Sequence, residues 1–200
     1  MSESPAADKP GLRERKKART RAAIQEQAMR LFREQGYEAT TVEQIAEAAD
    51  VSPSTFFRYF GTKEDVVAYD ALDPLVMEAW RAQPKDVQPI RAIRNAMRAV
   101  AANMSPSDIE EMLDRGRLMF GMPELRQAAI SELLRSGAMV TDELAARIGR
   151  PADDFELRVF GGAIMGAMMA AMMPSLEDAS GDPLELADRA LEFVEKGMPL

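Results

Sequence analysis

Residues 40–63, TTVEQIAEAADVSPSTFFRYFGTK, leave this chain less conformational choice than any other stretch. Val42, Ile45 and Ala46 recur at helical spacing and give a short helix one apolar stripe, ending near Ala49. Thr40 and Glu43 have the Thr-x-x-Glu spacing of a capping box, which predicts where that helix starts. Only Ala49-Asp50-Val51 separates it from Ser52, a good N-cap, and from Pro53, whose missing N–H has no partner at a first helical position anyway. Two short helices joined by so tight a turn predict a helix-turn-helix.

At 3.6 residues per turn, Phe56 and Phe60 share the inward face of the second helix with Val51 and Ile45. Ser54 and Arg58 lie opposite, Thr55 and Phe57 flank them, and Tyr59 sits at an edge. Phe56 and Phe57 are adjacent and cannot both face inward. Small residues at the helix start, an arginine and an outward aromatic suit a DNA major groove. They suit packing against the C-terminal body equally well.

The net charge of −8 opposes phosphate binding until it is divided along the chain. Through residue 66, eleven Lys/Arg meet eleven Asp/Glu; the rest of the chain holds the other 14 basic and 22 acidic residues, and so the whole excess. Nine of those eleven cations lie from Lys9 to Arg33, where only Glu14 and Glu26 oppose them. Positive charge therefore gathers at one end, to meet phosphates or simply to be solvated.

The absence of cysteine and histidine removes disulfide frameworks, Cys/His zinc sites, catalytic thiols and imidazole bases. The carboxylate pairs Asp153/Asp154 and Glu110/Glu111 are neighbours on helices and do not converge on one atom. No enzyme, metal site or cofactor is expected, and the composition points to a cytoplasmic protein. The N-terminal MSESPAADKPGLRERKK has no apolar segment behind its charges, so residues 1–12 read as a disordered tail, not a signal peptide.

The remaining signals are all helical. A first helix is expected at about 13–35, with Ile24, Ala28, Leu31 and Phe32 on one face and Gly36 as its stop. Thr62 with Asp65 opens a fourth at about 63–82, with Val66, Tyr69, Leu72, Val76 and Trp80 inward and a kink at Asp73-Pro74. After a loop at 83–89, helices start at Pro89, at Ser105-Pro106 with Asp108, and at Pro123, the last reaching Ile148 through Leu133, Leu134 and Leu144. An eighth spans about 153–173 and stops at Pro174; a ninth runs from Asp182-Pro183 to Gly197. The expectation is an all-α, nine-helix chain, with a three-helix DNA-reading domain at 13–62 and a helical ligand-binding and dimerisation domain at 63–200.

Within the eighth helix, VFGGAIMGAMMAAMM is apolar all round. It is shorter than the roughly 20 residues of a membrane span, so no membrane role is expected and a partner must cover one side. Gly162, Gly166 and Ala170 form a smooth ridge at i, i+4, i+8, beside Met169 and Met173. The last helix offers Leu184, Ala187, Leu191 and Val194 on one stripe and Leu186, Ala190 and Phe193 on another. Together they predict a four-helix homodimer seam, or else a thick monomer core. Thirteen of fifteen methionines lie beyond residue 66. Met77, Met97, Met104, Met112, Met119, Met122 and Met139, with Tyr69 and Trp80, are candidates to line a chamber for a hydrophobic small molecule; ordinary core is the alternative.

Residues 17–66 resemble the DNA-binding domain of TetR-family transcriptional regulators through Thr41-Val42, Ile45-Ala46, Val51-Ser52, Phe56, Tyr59-Phe60 and Lys63-Glu64. The resemblance implies a homodimeric, ligand-responsive regulator of a double-stranded DNA operator, most members sensing a small molecule in the C-terminal domain. By position it assigns phosphate contacts to Thr41, Phe57, Tyr59 and Lys63, and places Ser52, Pro53, Ser54, Thr55 and Arg58 nearest the bases. Phe57 stands where the family usually has tyrosine, and Asp50 where it usually has glycine. YDALDP at 69–74 and GRPADDFELRV at 149–159 are also similar to the mycofactocin-type subgroup, which is linked to long-chain acyl-CoA. For such a ligand, Arg91, Arg94, Arg98, Arg115, Arg117 and Arg126 are the candidate phosphate partners.

Overall fold

The first helix, α1 (Leu12–Gln35), buries Ile24, Ala28, Met29 and Phe32, a stripe that only an α-helix brings onto one face. It ends at Gly36, whose φ of 86° and ψ of 154° form a conformation open essentially to glycine alone. The computed structural model describes residues 11–177 and 181–200, the side chains of residues 14 and 15 excepted. Of the expected N-terminal tail, residues 1–10 lie outside the described residues.

Next come α2 (Val42–Ala48), α3 (Pro53–Tyr59) and α4 (Lys63–Ala68). The cap of α2 lies one residue later than expected. Thr40 is buried and its hydroxyl donates to the Gly36 carbonyl at 2.8 Å, so it is spent on the preceding corner. Thr41 is the N-cap instead: its hydroxyl accepts from the Gln44 amide at 3.2 Å, and Gln44 Oε1 accepts from the Thr41 amide at 2.9 Å. In the turn to α3, Asp50 takes the left-handed conformation, with φ at 53°, where the family usually places glycine. Aspartate tolerates this better than a β-branched residue does.

The chain forms two compact units, residues 1–67 and 68–200. In place of one kinked helix at 63–82 there are two, α4 and α5 (Leu72–Arg81). Asp70 Oδ1 accepts from the Leu72 amide at 2.8 Å and starts the second. Pro74 thus falls in the first turn of α5, where its missing N–H breaks no hydrogen bond.

The second unit continues with α6 (Pro89–Ala101), α7 (Pro106–Gly121), a 3₁₀ turn (Pro123–Leu125), α8 (Arg126–Ile148), α9 (Phe155–Glu177) and α10 (Pro183–Glu195). That makes ten α-helices and no strand among the described residues. Leu134 and Ile148, expected inward on α8, are exposed. α9 runs through Pro174 for one more turn, because Ser175 is buried and Leu176 packs on Gly116 of α7.

The core is built from Met77 and Trp80 on α5, Ile93 on α6, Val140 and Leu144 on α8, Leu157 and Ile164 on α9, and Leu191 on α10. α8 and α9 approach closely at Gly161, where a Cβ would lie 2.5 Å from Thr141 Oγ1 and 2.8 Å from the Gly137 carbonyl oxygen. Backbone cannot step aside cheaply. Gly161→Ala gains about 0.5–1 kcal/mol of helix propensity and loses about 1–3 kcal/mol to overpacking. The expected net is a lower urea midpoint for the variant.

Candidate nucleic-acid interface and ligand cavity

Ser52 caps α3 by accepting from the Thr55 amide at 3.1 Å, which turns the helix start outward as a cluster of hydroxyls. Ser52 Oγ lies 2.9 Å from Ser54 Oγ and 3.0 Å from Thr55 Oγ1, and Arg58 reaches Thr55 Oγ1 at 3.4 Å. Ser52, Pro53, Ser54 and Arg58 are exposed, Thr55 and Tyr59 are half-buried, and Phe57 keeps 54% of its surface. Phe56 is fully buried and its ring meets Phe57 edge-on at 5.4 Å. One ring anchors the helix and the other is presented.

The far end of α3 is tied to α1. Arg21 donates to the Tyr59 carbonyl at 3.0 Å with its guanidinium 5.4 Å from the centre of the Phe60 ring, and Gln25 holds the Val66 carbonyl at 2.9 Å. Sequence reasoning missed both ties, since neither side chain stands out by type. Lys63 is also more engaged than an exposed phosphate ligand. Its Nζ donates to the carbonyls of Tyr37 at 2.7 Å and Thr40 at 3.0 Å, and sits 4.0 Å from the centre of the Tyr37 ring. The Tyr37 hydroxyl donates to Glu64 at 2.7 Å. Burial alone would raise the Glu64 carboxyl, but hydrogen bonds from Tyr37, Thr62 and its own backbone, with the Lys63 charge, hold it below its ordinary value. Thr41 lies exposed on the corner that Lys63 braces.

The second unit holds a cavity of about 280 Å³, lined mainly by methionines and aliphatic side chains from α5 to α10. Of the expected lining residues, Met97, Met104, Met112 and Met119 are present. Met77 and Trp80 are instead in the solid core, Met139 packs against that core, Met122 caps the end of α7, and Tyr69 contributes a carbonyl to Arg115. Met165, Met168 and Met172 replace them: at i, i+3, i+7 they line the cavity from α9. That spacing was visible in the sequence, but on an all-apolar helix it did not mark a side.

The profile of bacterial regulatory proteins of the tetR family matches residues 24–69, and that of the MftR C-terminal domain matches residues 87–199. The chain belongs to the TetR family. Its members are transcriptional regulators, not enzymes. The chain is 39% identical to the HTH-type transcriptional regulator TcmR of Streptomyces glaucescens over 72% of its own length and 67% of that protein's. It is 24% identical to the mycofactocin biosynthesis regulator MftR of Mycobacterium tuberculosis, over 92% and 93% of the two chains. Among solved structures, the Thermus thermophilus repressor FadR in complex with lauroyl-CoA superposes with a TM-score of 0.58 and 27% identity, over 90% of this chain and 95% of that one.

Two further expectations for this TetR chain change. Leu191 is fully buried and Ala187 nearly so, both in the chain's own core, so they have no surface left for a second copy. Met169 is exposed but also lines the cavity. Gly162, Gly166 and Ala170 remain on the open face of α9, with Phe155, Val159 and Met169; Met173 and Val194 are half-buried. The six arginines are mostly committed as well. Arg94 grips Asp188 through two hydrogen bonds of 2.8 and 2.9 Å and also meets Glu192 and Glu195; Arg98 joins Asp188 and Arg91 joins Glu195. The Asp188 carboxyl is thereby held far below its ordinary range, by Arg94 first and Arg98 second. Arg115 pairs with Asp70 and Arg117 with Asp114, leaving only Arg126 of the six without an ion pair among the described residues.

Proposed function

We propose that this protein is a dimeric repressor that binds a pseudo-palindromic DNA operator and leaves it when a hydrophobic small molecule fills the cavity of the second unit. The observation that carries the DNA half is the exposed face of α3, where hydroxyls, Arg58 and Phe57 stand outward from a helix anchored by Phe56. Two such helices about a two-fold axis read half-sites about 34 Å apart, or a multiple of it. The open apolar face of α9 is the proposed seam. The apolar cavity carries the ligand half. An acyl-CoA, the ligand of the Thermus FadR complex, could place its chain there, but its phosphates would find Arg126 alone uncommitted among the six candidate arginines. A ligand that binds one conformation better shifts the population by its differential affinity, ordinarily about 1–3 kcal/mol.

Sequencing the DNA that the protein retains from a genomic pool, then adding hydrophobic ligands, tests both halves. With the operator known, Arg58→Ala should lose about 1–3 kcal/mol of discrimination at one base position. Lys63→Ala should weaken every sequence alike and flatten the salt dependence by about one unit of slope. Unchanged affinity in both variants would remove the DNA face from α3. Retention of operator under every ligand, with no thermal shift, would favour a dimer with no effector.

A further inference from the structure

The apolar cavity has one polar end, and its charge is lopsided. Asp70, Asp73 and Glu132 line it against a single lining cation, Arg115. Arg115 is already engaged: one nitrogen meets Asp70 at 2.8 Å and another the Tyr69 carbonyl at 3.2 Å. Arg135 stands outside the lining, half exposed, and pairs with Glu132 and Asp73. That leaves three carboxylates to two guanidinium groups.

Asp73 is the least compensated of the three. Its Oδ2 accepts from Ser136 at 2.7 Å and from Arg135 at 3.2 Å, whereas Oδ1 accepts no hydrogen bond among the described residues. Burial, and next the nearby Asp70 charge, push its carboxyl up from the ordinary value. A carboxylate in that position gains most from a cation. An anionic head would meet three carboxylates and a single lining guanidinium whose charge is already paired with Asp70.

We propose that the ligand of this cavity is a lipophilic amine, its ammonium group received by Asp73 Oδ1 and its apolar body lying among Met97, Met112, Met165 and Met168. This rests on the ligand-responsive reading above and adds the chemistry of the head group. A charge-assisted hydrogen bond in a poorly solvated site strengthens binding about tenfold or more over a neutral one.

Decylamine, 1-decanol and decanoate share one apolar body and differ only in the head, so the full-length protein can be titrated with each by calorimetry. The amine should bind at least about tenfold tighter than the alcohol, and decanoate weakest. In Asp73→Asn the amine should fall to the level of the alcohol. Unchanged alcohol affinity in that variant shows that the cavity is intact. Equal affinity for amine and alcohol, tighter binding of decanoate, or an amine preference that survives Asp73→Asn overturns the head-group assignment while leaving a ligand cavity. If none of the three binds and none releases operator DNA, the ligand-responsive reading fails and the assignment fails with it.

Discussion

Phe56→Ala is expected to abolish operator binding while leaving the second unit folded. Phe56 is fully buried, touches both Phe57 and Phe60, and is the anchor that sets which face of α3 points outward. Removing such a ring costs about 3–5 kcal/mol. At about 0.05–0.15 kcal/mol per residue, a unit that ends at Val67 holds roughly 3–9 kcal/mol in all, so the substitution takes about a third of it or more. Calorimetry of the variant should show the transition of the N-terminal unit lowered or missing and that of the cavity-bearing unit unmoved. A single transition that shifts as a whole would mean the two units unfold together.

The second large effect is expected at Gly166. A Cβ built there, or at Gly162, meets nothing within 4 Å, in contrast to the crowded Gly161. Arginine at position 166 therefore finds open space in the single chain, and the cavity loses no lining residue. Across the proposed seam it would place a long cation between two smooth apolar helices. Gly166→Arg should sediment as a monomer and bind operator about 10²-fold or more weakly, because the second half-site contact is no longer intramolecular. Its affinity for a cavity ligand should hold. A variant that stays dimeric places the seam elsewhere.

Much of the helix-turn-helix was legible in the chain because its signals are local. Ser52-Pro53 caps α3, Phe56 and Phe60 face inward, and Phe57 and Arg58 face outward, all within residues 52–60. The errors have physical reasons. Thr40 and Thr41 are equally good caps by type, and the choice between them depends on the Gly36 carbonyl that takes the Thr40 hydroxyl. Periodicity says that α9 is apolar but not which side is inward, because almost every position is apolar. The buried side turned out to carry Leu157, Gly161 and Ile164. The stripe of Ala187 and Leu191 pointed inward, where a dimer seam had been expected. Least legible were the arginines: Arg94 and Asp188 are far apart in sequence, and no pattern around either residue announces the other.

The anchored position of Lys63 bears on how the affinity of this protein is assembled. Two of its three ammonium hydrogens are held by the Tyr37 and Thr40 carbonyls, so one remains to offer a phosphate. A lysine gives up as much as about 1.5–2 kcal/mol of rotamer freedom when it is immobilised. Here that loss belongs to folding, and association need not repeat it. Arg58 is the opposite case, exposed and held only by a long contact to Thr55 and by the Tyr59 ring, whose centre lies 5.4 Å from its guanidinium. On the proposed reading, the preorganised cation would serve the uniform backbone of the operator, and the more loosely held one the bases, which differ from site to site.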